Sequence, residues 1–97
     1  MNYSFHPETE SELEEAINYY EECEEGLGLA FSREVFAAID RIVTYPLAWA
    51  QIDDVFRRCL LTRFPFALIY EIHNEEIFIQ VVMQLNREPD YWKSRFS

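Results

Sequence analysis

Two stretches in the first half of the chain repeat apolar residues three and four positions apart, the spacing of one helix face. The first stretch follows Pro7, and its stripe consists of Leu13, Ala16, Ile17, Tyr20 and Cys23. Proline suits a first helical turn, and Thr9 and Ser11, each with a glutamate three residues later, predict alternative capping boxes. Glutamates fill most other positions, so the pattern predicts an amphipathic helix with an acidic, solvated outer face.

A second helix is predicted from about Leu29 to Thr44, because Gly26-Leu27-Gly28 breaks the first helix and Pro46 ends the second. Its buried stripe comprises Phe31, Val35, Ile39, Ile42 and Val43, with Phe36 at the border. Since so few residues join the two helices, we expect them to pack as an antiparallel hairpin. Glu21, Glu22, Glu24 and Glu25 lie where the dipole of the first helix disfavours negative charge, without evident local compensation.

Strand-like patterns lie on both sides of this helix pair. Residues 2–6 predict a short edge strand, and three further strands are predicted at roughly 55–62, 64–73 and 76–84. The longest irregular connection spans residues 47–54, where Trp49 either packs over an end of the core or faces a partner. The predicted fold class is α+β: an N-terminal helix hairpin packed on one face of a mainly antiparallel sheet of three to four strands, in one domain spanning residues 1–97.

The register of the last two strands follows if Asn74-Glu75 form the turn between them, and a four-residue loop would preserve the same pairing. The pairs facing the helices are then all apolar: Ile72 with Ile77, Tyr70 with Ile79, Leu68 with Val81, and Phe66 with Met83. The opposite face carries His73 with Glu76, Glu71 with Phe78, Ile69 with Gln80, and Pro65 with Gln84. A slip of one residue would destroy this pattern, so we expect the register to hold along the whole hairpin.

Charge is distributed unevenly along the chain. The net charge is −10, and residues 1–25 hold nine glutamates without a lysine or arginine, whereas residues 26–97 hold nine acids and eight bases. Three of those bases, Arg57, Arg58 and Arg63, form a basic patch. Total acidity therefore does not exclude a nucleic-acid partner, because binding depends on the local potential.

Several kinds of site and location are disfavoured. Cys23 and Cys59 are too few for a disulfide framework, and together with His6 and His73 they lack metal-ligand spacing, so neither a metal nor another cofactor is expected. The apolar runs are only a few residues long and residues 1–5 do not resemble a signal peptide. We therefore expect no membrane partner and a cytoplasmic location.

Short motifs follow one another in a characteristic order. They are His6-Pro7-Glu8, Gly26-Leu27-Gly28 with Phe31, Pro46, Arg57-Arg58-Cys59-Leu60-Leu61 with Arg63-Phe64-Pro65-Phe66 and Tyr70, and the ending Arg87-x-Pro89-x-Tyr91-Trp92. In order and spacing, over nearly its whole length, the chain resembles the RelE/ParE toxin superfamily and in particular its plasmid-stabilisation branch. The family fold, a helix hairpin on an antiparallel sheet, agrees with the fold predicted above.

The resemblance implies the toxin of a bacterial type II toxin–antitoxin module, neutralised by a small cognate antitoxin protein that wraps around it. RelE-like members cleave messenger RNA on the ribosome, whereas ParE-like members poison DNA gyrase without known hydrolytic chemistry. The function that the resemblance implies first is therefore a toxin neutralised by its antitoxin. The alternatives are a ribosome-dependent endoribonuclease, a gyrase inhibitor and an inactive member of the family. The resemblance is compatible with two assemblies, a homodimer and a toxin–antitoxin heterotetramer.

Cleavage of RNA through its 2′-hydroxyl needs a proton acceptor, a cation beside the phosphate and an acid for the leaving oxygen. The resemblance implies Arg58, Arg87 and Tyr91 as the catalytic candidates. Relatives often carry a histidine and a further arginine in the ending, where this chain has Gln84 and Asn86. Two of the required functions are therefore missing, and the sequence disfavours an enzyme.

The candidate partner-binding residues are Arg57, Arg63, Glu71, His73 and Trp92. Each also has a simpler interpretation. The arginines suit exposed ion pairs or the acidic tail of an antitoxin, and His73 beside Glu76 suits a cross-strand polar pair. Tyr91 and Trp92 suit packing that holds the tail on the sheet.

Overall fold

The computed structural model describes residues 1–96, in which two helices pack on a mainly antiparallel sheet. The elements in chain order are β1 (Asn2–Phe5), α1 (Pro7–Cys23), α2 (Leu27–Thr44), β2 (Ala50–Gln51), β3 (Phe56–Leu60), β4 (Phe66–His73), β5 (Glu76–Gln84) and a 3-10 helix (Lys93–Phe96). Across residues 1–96 the strand order is β1-β5-β4-β3-β2, with β1 parallel to β5 and every other neighbouring pair antiparallel. The predicted α+β class and helix hairpin are confirmed.

The sheet differs from the predicted one in its number of strands. Residues 50 and 51 form β2 within the predicted irregular connection, and they pair with Arg58 and Arg57 of β3. A strand of two residues is too short to produce an alternating pattern, so it left no signal in the sequence. Trp49, just before β2, packs against the edge of the main core.

Helix α1 begins differently from the prediction. His6 is the N-cap, and its Nδ1 atom accepts a hydrogen bond from the Glu8 backbone N–H at 3.1 Å. Thr9 is buried inside the first turn, where its hydroxyl donates to the Gln80 carbonyl oxygen at 2.7 Å. The capping boxes predicted at Thr9 and Ser11 are therefore wrong, because Pro7 already starts the helix and Thr9 is used by the sheet. Cys23, predicted in the buried stripe, is exposed.

The reversal between the helices compensates the unfavourable charge of one of the four glutamates at the end of α1, Glu21. The Glu21 carboxylate accepts hydrogen bonds from the backbone N–H groups of Gly26 and Gly28, each at 3.0 Å. Those groups open α2, so Glu21 lies at the positive end of that helix's dipole as well as at the negative end of its own. Gly26 adopts φ 88°, and a Cβ on Gly28 would lie 2.6 Å from the Ile17 carbonyl oxygen. The two helices can approach this closely only with glycine at residue 28.

The predicted β4–β5 register holds for half of the hairpin and fails for the other half. Asn74 and Glu75 form the turn with positive φ, and the pairing runs as predicted to Tyr70 opposite Ile79. A bulge then shifts the register, so that Leu68 pairs with Val82 and Phe66 with Gln84 rather than with Val81 and Met83. Because side chains alternate along a strand, the shift turns Val81 and Met83 to the helix-free face.

The sheet separates two cores, and the bulge decides which side chains of β5 belong to each. The main core, between the helix hairpin and the sheet, includes Phe31, Ile39, Leu68, Tyr70 and Val82. The second core, on the helix-free face, is formed by Ala67, Ile69, Val81, Met83 and Trp92, with Phe56 and Tyr91 packed against it. The tail after β5, residues 85–96, therefore covers apolar surface that the helices do not reach.

Candidate functional site

A cleft of about 320 Å³ opens between α1, the end of β5 and the tail. Its lining combines carboxylates, phenols, one guanidinium and apolar side chains, namely Glu12, Glu15, Ala16, Tyr19, Tyr20, Phe66, Val82, Gln84, Arg87 and Tyr91. The cleft contains two of the three residues implied as catalytic, Arg87 and Tyr91.

Glu12 is the centre of a hydrogen-bond network at the back of this cleft. Its carboxylate accepts from the Val82 N–H at 3.2 Å, from the Tyr91 hydroxyl at 3.2 Å and from both terminal nitrogens of Arg95, at 3.2 and 3.1 Å. The side chains of Glu12 and Arg95 are only 18% and 12% exposed, so water weakens this ion pair little. One carboxylate therefore joins α1, β5 and the tail.

The same network satisfies the edge of β5 beyond β1. Strand β1 pairs with residues 76–79 of β5, and the next polar backbone groups would otherwise be unpaired. The Gln80 carbonyl oxygen accepts hydrogen bonds from the Thr9 hydroxyl and from Arg95 Nη1, at 2.7 and 3.1 Å. The Val82 N–H donates to the Glu12 carboxylate. Arg95 also contacts Glu8 at 3.1 Å. Burial disfavours the charged guanidinium, but Glu12 and Glu8 outweigh it and raise the pKa of Arg95.

Tyr91 is held as a neutral hydrogen-bond donor. Burial, the negative charge of Glu12 and the hydrogen bond to Glu12 raise the pKa of Tyr91 to about 12, against the opposing effect of Arg87 and Arg95. The Arg87 guanidinium stacks on the Tyr91 ring, 3.7 Å from its centroid. The phenol therefore keeps its proton at neutral pH and gives it to a carboxylate, an arrangement poorly suited to proton transfer with a substrate.

Arg58 does not line this cleft. It is exposed on β3 opposite Ile69, whose side chain belongs to the second core on the helix-free face. The structure thus brings Arg87 and Tyr91 together and places Arg58 on a different surface.

The other two arginines of the basic patch interact within the chain. Arg57 faces the helix side of the sheet, and its Nη1 atom donates to the carbonyl oxygens of Trp49 and Leu47 at 2.7 and 3.2 Å. It anchors the connection before β2, which is a structural role that the partner-binding prediction did not include. Arg63 is exposed, its backbone N–H donates to Glu34 at 2.6 Å, and its guanidinium lies 5.6 Å from the centre of the Phe64 ring.

The remaining partner-binding candidates, Trp92, Glu71 and His73, differ in how deeply they are buried. Trp92 is 1% exposed in the second core, and its indole N–H donates to the Pro89 carbonyl oxygen at 3.0 Å. Its position matches the packing interpretation, because a side chain so buried presents no surface to a partner. Glu71 accepts a hydrogen bond from the Gln80 side chain at 2.9 Å. His73 is exposed opposite Glu76 and lies near the Phe78 ring.

Sequence reasoning missed Glu8, Glu12, Glu15 and Arg95 as members of this site. Glu8 and Glu12 are four residues apart and therefore share a helix face, but the same holds for several other glutamates of α1. Nothing in the sequence connects them with an arginine in the tail. In residues 1–96 no group of three or more histidine, cysteine or acidic side chains is placed to hold a metal ion. None of the helices described there is long and apolar enough to cross a bilayer.

Comparisons with known proteins identify the fold. No protein-family model matches the sequence, and no curated protein matches it either. Five chains of solved structures match. One belongs to the chromosomal ParDE TA system from P. aeruginosa: it is 16% identical, with a TM-score of 0.74, and the alignment covers 88% of this chain and 96% of that chain. The protein therefore has the RelE/ParE type of fold that the motifs implied.

Proposed function

We propose that this chain is the toxin component of a type II toxin–antitoxin module and that a cognate antitoxin neutralises it. The observation that carries the proposal is the fold match to a chain of the ParDE TA system, which extends over most of both chains. The ordered motifs of the sequence support the same assignment independently, since they resemble the toxins of this superfamily. The exposed Arg58, Arg63 and His73 are the proposed partner contacts that remain accessible.

We further propose that the protein acts by binding and not by cutting RNA. The implied catalytic residues are divided between two surfaces, and the hydroxyl of Tyr91 is engaged by Glu12. Two carboxylates, Glu12 and Glu15, line the cleft and would repel the phosphates of an RNA substrate. Gln84, which stands at the histidine position of the family motif, also lines the cleft and cannot act as a general acid or base.

A target such as DNA gyrase fits this mode of action, because inhibition by binding requires a surface and no catalytic constellation. The ribosome fits less well, since the chemistry that would follow binding there has no assembled set of groups in the cleft. A homodimer and a toxin–antitoxin heterotetramer remain the two proposed assemblies.

The decisive test is expression of the chain in a bacterial host with and without the product of the neighbouring gene. We expect growth arrest without that product, rescue with it, and co-purification of the two proteins through a tag on either one. Normal growth and no co-purifying partner would overturn the toxin assignment.

The mode of action is tested in the arrested cells and with purified protein. Primer extension on translated messages should show no new 5′ ends, and a gyrase supercoiling assay should show inhibition. New ends that disappear in the Tyr91→Phe and Arg87→Gln variants would overturn the binding mode and establish the ribonuclease alternative.

A further inference from the structure

One face of α1 repeats a pattern that already binds a guanidinium in its first half. Glu8, Glu12, Glu15 and Tyr19 follow one another at spacings of four, three and four residues, so they lie along a single side of the helix. Glu8 and Glu12 together hold Arg95 of the tail through contacts at 3.1 Å. The next turn presents Glu15 and Tyr19 to the cleft.

This next turn lacks the cation that the first turn has. Glu15 is exposed and forms no salt bridge with any residue in the range 1–96. The Tyr19 side chain is 60% exposed, and its ring meets Tyr20 edge-on with centroids 5.3 Å apart. A carboxylate and an aromatic ring thus stand side by side, open to solvent, at the mouth of the cleft.

Two further features favour a positively charged occupant. Arg87 lies 3.7 Å from the centre of the Tyr91 ring on the opposite wall, so a ring in this cleft already stacks a guanidinium. In the cleft lining the two carboxylates of Glu12 and Glu15 outnumber the single guanidinium of Arg87, and residues 1–25 hold nine glutamates without a lysine or arginine. The field at the mouth therefore attracts cations.

We propose that this cleft binds an arginine side chain from a basic segment of the antitoxin, with its guanidinium paired to Glu15 and stacked on Tyr19. Arginine fits better than lysine because a planar guanidinium can pair with a carboxylate through two hydrogen bonds while its face covers an aromatic ring. The identity of the partner rests on the proposed toxin function. The chemistry of the site does not, since it depends only on Glu15, Tyr19 and the field of α1.

The chemistry is tested with the purified full chain and a tetra-arginine peptide, by NMR titration of the 15N-labelled protein at low salt. We expect the largest shifts at Glu15, Tyr19 and Arg87, and weaker binding of tetra-lysine. The Glu15→Gln and Tyr19→Leu variants should each weaken binding about two- to fivefold, the range for an exposed ion pair or cation–π contact. Arg87→Gln should instead strengthen binding, because it removes the only positive charge of the lining.

The matched control is Glu14→Gln. Glu14 directly precedes Glu15 on α1, is exposed, carries the same charge and does not line the cleft. Equal weakening by Glu14→Gln and Glu15→Gln would mean that the peptide binds the acidic helix as a whole, and that result would overturn the cleft as the site.

The partner is tested with the co-purifying product of the neighbouring gene. We expect Glu15→Gln and Tyr19→Leu, but not Glu14→Gln, to weaken its affinity and to reduce the salt dependence of binding. An antitoxin that binds all three variants equally would overturn the proposed occupant while leaving the toxin function intact. If the cleft selects tetra-arginine but the chain shows neither toxicity nor a partner, the cation-binding site is supported and the toxin assignment is overturned.

Discussion

Tyr91 donates its hydroxyl hydrogen to Glu12 across 3.2 Å, joining two residues that are 79 positions apart in the chain. The same carboxylate binds Arg95 and the edge of β5, so the position of the tail depends on one acidic side chain of α1. This link fixes one wall of the cleft and closes the second core.

Replacing Glu12 with alanine should destabilise the protein. Arg95 and Tyr91 would keep their partly buried polar groups without the acceptor they share, at a cost of about 2–3 kcal/mol in the free energy of unfolding. Urea denaturation followed by tryptophan fluorescence measures this change. Glu14→Ala, at an exposed position of the same helix, should alter the free energy by less than about 0.5 kcal/mol. Equal effects of the two substitutions would contradict the central role of Glu12.

Stability should fall at alkaline pH because two tyrosines hold their protons more tightly when folded. Burial raises the pKa of Tyr70 to about 12, and burial together with Glu12 raises that of Tyr91 to about 12, from an ordinary 10.0. The stabilisation is fully present below pH 10 and is lost as the pH rises from 10 through 12, where the unfolded chain binds fewer protons. Urea denaturation at each pH measures it, and Tyr91→Phe should flatten the decline. If the free energy of unfolding of Tyr91→Phe fell with the same slope, the loss of stability at alkaline pH would come from other groups.

The two glycines of the helix reversal should respond to substitution in different ways. Gly28→Ala places a methyl group 2.6 Å from the Ile17 carbonyl oxygen and should force the helices apart, costing about 2–3 kcal/mol. Gly26→Ala meets no atom within 4 Å and should cost about 1 kcal/mol, for positive φ alone. Thermal and urea denaturation rank the two variants. A larger loss for Gly26→Ala would mean that backbone strain outweighs helix contact.

Trp92→Ala should lower the free energy of unfolding, because Trp92 is a core residue and not a surface contact. The side chain is 1% exposed, and removing it from the second core should cost about 3–5 kcal/mol. Leu47→Ala, at a side chain that is 70% exposed, is the control and should change little. If Trp92→Ala kept full stability and lost only antitoxin affinity, the result would support the prediction that Trp92 contacts a partner.

The β4–β5 turn offers a stabilising substitution. Glu75 has φ 64°, a conformation that strains a glutamate but not a glycine, and Asn-Gly is the preferred pair for this kind of turn. Glu75→Gly should therefore raise the free energy of unfolding by about 0.5–1 kcal/mol. Asn74→Gly should bring less, because asparagine tolerates positive φ. A loss of stability in Glu75→Gly would show that the entropy of the unfolded chain dominates.

The bulge marks the limit of what pattern analysis could predict about the sheet. Val81-Val82-Met83 is apolar at every position, so either register buries side chains on both faces and the sequence does not choose between them. In the observed register the backbone of Gln80 and Val82 forms hydrogen bonds with Thr9, Glu12 and Arg95. These residues come from α1 and the tail, and no local pattern connects them with β5.

The candidate site was predictable only in part, for the same reason. Arg87 and Tyr91 are four residues apart, and the motif that carries them identified both. Glu12 resembles any other glutamate of an acidic helix face until the fold places Arg95 against it. The burial of Trp92 likewise required a second core on the helix-free face, to which the bulge adds Val81 and Met83.

The sequence by itself determined the helix hairpin, the main strands, the α+β class of the fold and the register of the β4–β5 hairpin next to its turn. These features depend on periodicity and on turn chemistry within short segments, which the order of residues records directly. The tertiary structure alone decided the bulge, the second core and the network around Glu12. Each of these depends on which polar groups of distant segments meet out of water and must then satisfy one another.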